Sequence, residues 1–262
     1  MLITSYGIAC VNLNNRSICM VKKLYTYSFQ KFIRTKNINH INVELFDTMS
    51  MEEKILISTL NFDFILRRYK MNISSNDTSY NDTKKRLEKV FLFDNGQMLL
   101  SFINTSTKSI NGIWEIPKGK KINNESDIDT AIREFKQETQ INIDKINIMH
   151  NKRFTYTFYD CGKLYKYVYF LAFTYQDFIH KFNMTAKHQY HEICDIMWMS
   201  KDMINVMISK QINAMSYLDN FSLNIINTAF KINKNIRKNN RKIIKKLNIK
   251  DSKNNNVCNQ SQ

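Results

Sequence analysis

Glu134, Gln137 and Glu138 stand at positions i, i+3 and i+4, so a helix drawn through them carries all three on one face. Glu125 precedes them in the loop that would feed that helix. Carboxylates gathered this closely repel one another unless a cation lies between them. A hard divalent ion such as Mg²⁺ suits the position, because it takes oxygen ligands and shares them with substrate phosphates. Such an ion neutralises phosphate oxygens and lowers the pKa of an attacking water. The chemistry indicated is hydrolysis of a phosphate-bearing substrate. For a run of glutamates taken alone, a solvated helix face with ordinary salt bridges is the plain alternative.

The residues just upstream are Pro117-Lys118-Gly119-Lys120-Lys121. Gly119 lets the backbone turn and approach a ligand closely. Lys118, Lys120 and Lys121 supply point charges for phosphate or RNA. Pro117 is the single proline of the chain, which marks a rigid turn.

Read together, Gly119, five residues, Glu125, seven residues and Arg133-Glu134-Phe135-x-Gln137-Glu138-x-Gln140-Ile141 resemble the Nudix box. That box runs Gly, five residues, Glu, seven residues, then Arg-Glu-apolar-x-Glu-Glu-x-Gly-apolar. Two positions depart from it. Gln137 replaces the first glutamate of the pair, which removes one anionic ligand. Gln140 replaces the glycine that ends the helix, at modest cost if the left-handed cap is kept. Further stretches resemble the viral mRNA-decapping Nudix hydrolases of the African swine fever virus and giant-virus type: Ser5 to Ile33, Met49 to Asp63, Trp114 to Lys120, and Tyr159-Asp160 through Leu171.

The resemblance implies an α/β fold, a Nudix αβα sandwich with a mainly helical insertion after the first β-hairpin. It gives Glu134 the catalytic position and Glu125, Glu138 and Asp160 metal positions, with Mg²⁺ or Mn²⁺ as cofactor. An Asp beside a Gly is also an ordinary turn residue. Capped mRNA is the implied partner, with diphosphoinositol polyphosphates and free nucleotides as further substrates. Host cytoplasm, with association to ribosomes, endoplasmic reticulum or another anionic membrane, and a place in the virion are further expectations. The rivals are a diphosphoinositol polyphosphate phosphohydrolase and an RNA-binding protein whose site has decayed, a reading that Gln137 keeps open.

The elements needed to hold these residues are legible in outline. Tyr6 to Val11 and Ser17 to Val21 read as a hairpin across Asn14-Asn15-Arg16. Met49 to Tyr69 and Lys84 to Phe102 show helical spacing, with a polar stretch from Asn72 to Asp82 between them. Gly112 to Ile116 regains strand character. Ser126-x-x-Asp129 opens a helix whose apolar stripe is Ile128, Ala131, Ile132 and Phe135. Phe154, Tyr156 and Phe158 alternate as in a half-buried strand; Leu164 to Phe173 reads as central, Glu192 to Met199 as another strand, and Met203 to Leu218 as a helix. Glu192 stands as an additional acid or as a plain strand-end charge. Trp114 and Trp198, able to stack on a methylated guanine, sit in apolar strand contexts that suit core packing better. His150, His180, His188 and His191 have no metal spacing.

The expected organisation is residues 1–32 as the first hairpin, 33–104 as an RNA-binding helical insertion, 105–220 as the remaining sandwich with the box at 119–141, and 221–262 as a basic helical tail. Residues 231–250 hold nine Lys or Arg and no acid. The whole chain carries net +16 over 262 residues, which favours polyanions, although an Asn-, Ile- and Lys-rich composition also reflects codon bias. Five cysteines without a C-x-x-C pair do not read as a disulfide framework or a zinc site. No apolar run reaches transmembrane length. The start reads as a strand and not as a signal peptide, so a soluble, intracellular chain is expected.

Overall fold

A computed structural model of the chain describes residues 2–69, 78–160, 162–176, 192–209 and 220–238. The expected course of the chain at 72–77, 210–218 and 239–262, and the residues His180, His188 and His191, lie outside them.

The hairpin forms as read, from β1 (Leu2–Asn12) and β2 (Ser17–Lys23), with Val11 opposite Ile18. Its turn is closed by the Asn14 N–H donating to Asn12 Oδ1 at 2.8 Å, and Arg16 adopts φ 56°. Among the described residues seven strands join in one mixed sheet. β3 (Ile113–Glu115) and β7 (Ile193–Ser200) flank β2. The two-residue β4 (Lys118–Gly119) pairs with β1. β6 (Lys163–Thr174) runs parallel to β1 from Leu2↔Leu164 to Asn12↔Thr174, and β5 (Asn147–Asp160) runs antiparallel to β6. The central position expected for Leu164 to Phe173 is observed, and Tyr167 to Ala172 are all buried.

Strand alternation divides the apolar residues between two layers. Ile8, Cys10, Cys19, Val21, Phe170 and Ala172 face α7 (Asp127–Thr139), which covers them with Ala131 and Phe135. Ala9, Val11, Ile18, Met20, Tyr169 and Leu171 face the opposite way. There they pack with Ile204 of α8 (Lys201–Ser209) and with Ile225, Ile226 and Ala229 of a helix spanning residues 220–238. The result is the α/β/α sandwich expected from the sequence. The basic tail thus begins within a helix docked on the sheet. Trp114 and Trp198 both contribute to the packing, on opposite faces.

Between β2 and β3 the chain builds a separate helical layer: α1 (Tyr27–Arg34), α2 (Val43–Asp47), α3 (Met51–Ser58), α4 (Phe62–Tyr69), α5 (Thr78–Phe91) and α6 (Gln97–Thr105). Its own core includes Phe29, Phe32, Phe46, Ile57, Phe62 and Phe91. α1 belongs to this core, so the layer starts a few residues before position 33. Each stretch of helical spacing resolves into two helices. Leu60 at φ 54° breaks the first, and Asn95 and Gly96 at φ 57° and 80° break the second. A Cβ on Gly96 would run into the Leu60 methyl groups, so the two breaks pack against each other.

Glu53 ties the layer together at its root. It completes a capping box with Ser50 and also accepts from the Thr26 N–H at 2.6 Å and the Thr26 hydroxyl at 2.7 Å. Hydrogen bonds that join this layer to the sheet include Ile110 N–H, in the loop before β3, to the Met49 carbonyl at 3.0 Å, and the Tyr27 hydroxyl to Glu115 Oε2 at 2.7 Å.

β4 lies so close to β1 that a Cβ on Gly7 would meet the Pro117 carbonyl oxygen. That oxygen is backbone and cannot turn aside. Gly7→Ala is expected to destabilise the protein by about 1–3 kcal/mol. Thermal denaturation checks this, at roughly 2–4 °C per kcal/mol for a chain of this size.

Candidate active site

The site is built on α7 and the loop before it. Ser126 caps the helix, its hydroxyl oxygen accepting from the Asp129 N–H at 3.2 Å and its proton going to Asp129 Oδ2 at 2.6 Å. The capping box anticipated there is therefore half made, since the Asp129 carboxylate binds the serine side chain. At the other end Gln140 takes φ 58°, and its N–H reaches the Lys136 carbonyl at 2.9 Å. The left-handed cap survives without glycine. With Ala131 and Phe135 turned to the sheet, Glu134, Gln137 and Glu138 lie along a cleft with Ile122, Arg133 and Glu192. Glu134 rests on the β4 backbone, because a Cβ on Gly119 would fall on its carboxylate. This close approach explains the glycine at 119.

Arg133 organises one half of the cleft. Its Nε and Nη2 bind Glu125 at 2.7 and 3.0 Å, its Nη1 binds Glu134 Oε1 at 2.6 Å and Gln137 Oε1 at 3.0 Å, and Nη2 also donates to the Lys120 carbonyl at 2.9 Å. Glu125 further accepts from the Ile122 N–H and the Thr130 hydroxyl. Arg133, followed by the Ile122 amide, holds Glu125 at about 2. Gln137 takes its place in the network as a neutral acceptor.

The other half is buried. Glu138 accepts from Lys23 Nζ at 3.0 Å on one oxygen and from the Lys118 N–H at 3.0 Å on the other. Lys23 Nζ also stands 3.3 Å from Glu115 and 3.7 Å from Glu192. Lys118 Nζ binds Glu115 at 2.8 Å and lies 4.5 Å from the centre of the Tyr167 ring. Burial alone would raise Glu115, but Lys118 and then Lys23 bring it down to about 2. Burial pushes Glu138 up to about 7; Lys23 opposes the rise and Glu115 adds to it. The two carboxylates share Lys23, and Glu115 has the Lys118 ammonium besides, which is why it keeps the lower value.

The sequence-predicted residues are thus brought together unevenly. Glu125, Glu134 and Glu138 all reach the region of β4 and α7. Lys120 and Lys121 are exposed, Lys121 at 2.7 Å from Asp127 and over the Tyr6 ring. Lys118 is buried and turned to Glu115, away from solvent, because its strand position points it inward. The Asp160 backbone ends β5 opposite Lys163, and its side chain lies outside the described part of the structure. Among the described residues no three acidic, His or Cys side chains are already grouped as a metal cluster; Arg133 and Lys23 stand between the carboxylates. The donors fit a hard divalent ion in chemistry. They are oxygen atoms, and the opening left by Gly119 admits the Glu134 carboxylate directly against β4.

Lys23, Glu115 and Tyr27 were not read from the sequence as site residues. The available signal was parity: Lys23 continues the alternation of Cys19 and Val21, which points a lysine into the α7 layer.

The NUDIX domain family model matches residues 89–217. Two African swine fever virus proteins named mRNA-decapping protein g5R are similar to the chain. One, from a warthog isolate of Namibia, is 30% identical over 221 residues, and one, from a pig isolate of Kenya, is 31% identical over 220 residues; each comparison covers 79% of this chain and 89% of the relative. A crystal structure of a C. elegans Ap4A hydrolase binary complex is 21% identical, covers 46% of this chain and 78% of that one, and has a TM-score of 0.34.

The raised Glu138 fixes a sign for pH. Between its ordinary 4.5 and about 7 the folded chain holds a proton that the unfolded chain has lost, so stability from this group falls as pH rises through that window. Glu115 and Glu125 titrate below it. In metal-free buffer the melting temperature is expected to drop between about pH 5 and about pH 8, and Glu138→Gln to flatten that slope.

Proposed function

Since the chain belongs to the Nudix family, we propose that it is an mRNA-decapping hydrolase that cuts a phosphoanhydride bond of the 5′ cap, releasing methylated GDP and RNA with a 5′-monophosphate. The observation that carries the reading is the face of α7. There Glu134 and Glu138, one helical turn apart, meet the Gly119 backbone and the Lys118 N–H. Nudix hydrolases generally use divalent metals. Glu125, Glu134, Glu138 and Asp160 are the residues we assign to hold Mg²⁺ or Mn²⁺, which when bound neutralises phosphate oxygens and lowers the pKa of an attacking water.

The chain's own residues do the rest. Glu134 takes the proton of the attacking water as it adds to a cap phosphorus, and the bond to the departing phosphate oxygen breaks. Arg133 bridges Glu125 and Glu134 and offsets their mutual repulsion. Lys120 and Lys121, exposed on the stretch just before the cleft residue Ile122, are the lysines we assign to the phosphate chain, while Lys118 supports the site from inside. The same lysines suit free nucleotides and diphosphoinositol polyphosphates as secondary substrates. The compartment that fits the reaction is the host cytoplasm, where capped transcripts are found.

Product analysis of cap-labelled RNA by thin-layer chromatography, with Mg²⁺ and with Mn²⁺, tests the reading. Methylated GDP is the expected product. Glu134→Gln and Glu138→Gln are each expected to lower turnover by about 10²–10⁴-fold with the fold intact. A chain that binds RNA and yields no product with either ion would be a binding protein instead.

Grip on the RNA body is assigned to the helical layer and the basic tail. On helix 220–238 the apolar Ile225, Ile226 and Ala229 are buried, while Lys231, Lys234, Arg237 and Lys238 are exposed. Asn233 on the same helix accepts from the Tyr175 hydroxyl at 2.8 Å, so a tail deletion must begin after residue 238 to spare the docked turn. Residues 239–262 hold six Lys or Arg. Removing them is expected to flatten the salt dependence of RNA binding by about 0.7 in log–log slope for each phosphate that the tail neutralises. Hydrolysis of small nucleotides should be unchanged. An unaltered slope would assign the tail to another surface.

A further inference from the structure

Lys23 is the last residue of β2, and the register of β2 against β7 shifts there: Lys22 pairs with Asp195, yet Lys23 pairs with Ile193. Bulges of this kind re-aim a side chain beside a site. The Lys23 ammonium sits within reach of Glu138, Glu115 and Glu192, at 3.0, 3.3 and 3.7 Å. Glu138 is consequently fixed at both oxygens, by Lys23 Nζ and by the Lys118 N–H. Behind Lys23, Glu115 is fully buried and held by Lys118 and by the hydroxyl of Tyr27, a residue of the helical layer.

We propose that Lys23 is a positioning residue for the hydrolytic reaction, clamping Glu138 in the orientation that faces the cleft, and that Tyr27 and Glu115 extend this clamp to the helical layer. A carboxylate held at both oxygens presents its remaining lone pairs in one direction. Without the clamp it must be ordered each time an ion and substrate arrive. The lysine acts on Glu138 and not on substrate, so its removal lowers the turnover number and leaves substrate capture alone. The proposal rests on the hydrolase reading above.

The test compares wild type, Lys23→Met, Lys23→Arg, Glu138→Gln, the double variant Lys23→Met with Glu138→Gln, and Tyr27→Phe. Steady-state hydrolysis of capped RNA is measured beside Mn²⁺ binding, followed without substrate by the paramagnetic resonance of the free ion. Lys23→Met is expected to lower kcat at least about tenfold with KM within about twofold, and to weaken Mn²⁺ binding about two- to tenfold, the range for ordering one side chain. Lys23→Arg should recover part of both. In the Glu138→Gln background the Lys23 substitution should add no further loss, as coupled residues do and independent ones do not. Tyr27→Phe should reduce kcat by a smaller factor at the same KM, and it decides the matter if Lys23→Met does not fold.

Additive losses, an unchanged kcat, or tighter Mn²⁺ binding in Lys23→Met would overturn the proposal, the last by showing a competing charge in place of a clamp. A wild type that binds Mn²⁺ and hydrolyses nothing would sink the hydrolase reading itself. An active wild type with an indifferent Lys23 would sink only the clamp.

Discussion

Glu138 is as buried as the hydrophobic core, at 3% exposure, and an ionised carboxyl at such a depth carries a desolvation penalty of several kcal/mol that its surroundings must offset. Much of the architecture near α7 follows from that constraint. β2 ends on Lys23, β4 turns the Lys118 N–H toward Glu138, and β3 ends on Glu115, which takes up the charge that the two lysines bring. The buried Lys118 and the half-buried Lys23 stand against the two buried glutamates. Removing either lysine would leave the buried carboxylates short of a cation, a change more damaging than the loss of a surface ion pair.

The same constraint ties the helical layer to the sandwich. Tyr27 donates to Glu115, and Thr26, one residue earlier, is held by the buried Glu53 through both its amide and its hydroxyl. A layer with its own core thus ends in hydrogen bonds to the buried charges under the cleft. An insertion attached only by flexible linkers would move independently of the site. This one has its first helix anchored on the charge network, so the layer and the surroundings of Glu138 share a structural element.

Local pattern carried much of this into the sequence. The hairpin of β1 and β2, the central β6 and the α7 stripe were readable, because alternation and helical spacing record which face is buried. The box residues were readable for the same reason: Glu134 and Glu138 share a face whatever the tertiary structure. Arg133 was visible as a fixed position, but its bonds to Glu125, Glu134, Gln137 and the Lys120 carbonyl depend on how the loop from Lys120 to Glu125 folds over the helix. Lys118 stood among three lysines that looked alike; only its place on a strand paired with Gly7 turns it inward while Lys120 and Lys121 stay in solvent. The helix breaks at Leu60 and Gly96 were hidden because they stabilise each other across sequence.

Gln137 shows why a departure from a motif cannot be judged at its own position. A glutamate there would put a third carboxylate beside Arg133, which already serves Glu125 and Glu134. As an amide, Gln137 accepts one hydrogen bond from the same guanidinium and adds no charge. The arginine then serves two carboxylates, leaving one excess negative charge, while Lys23 and Lys118 serve the buried ones. Charge in the cleft is thus divided into two compartments, one around Arg133 near solvent and one around Lys23 in the interior. The substitution at 137 keeps the outer compartment at one excess negative charge where a glutamate would make it two, and Glu134, lodged against Gly119, lines the cleft.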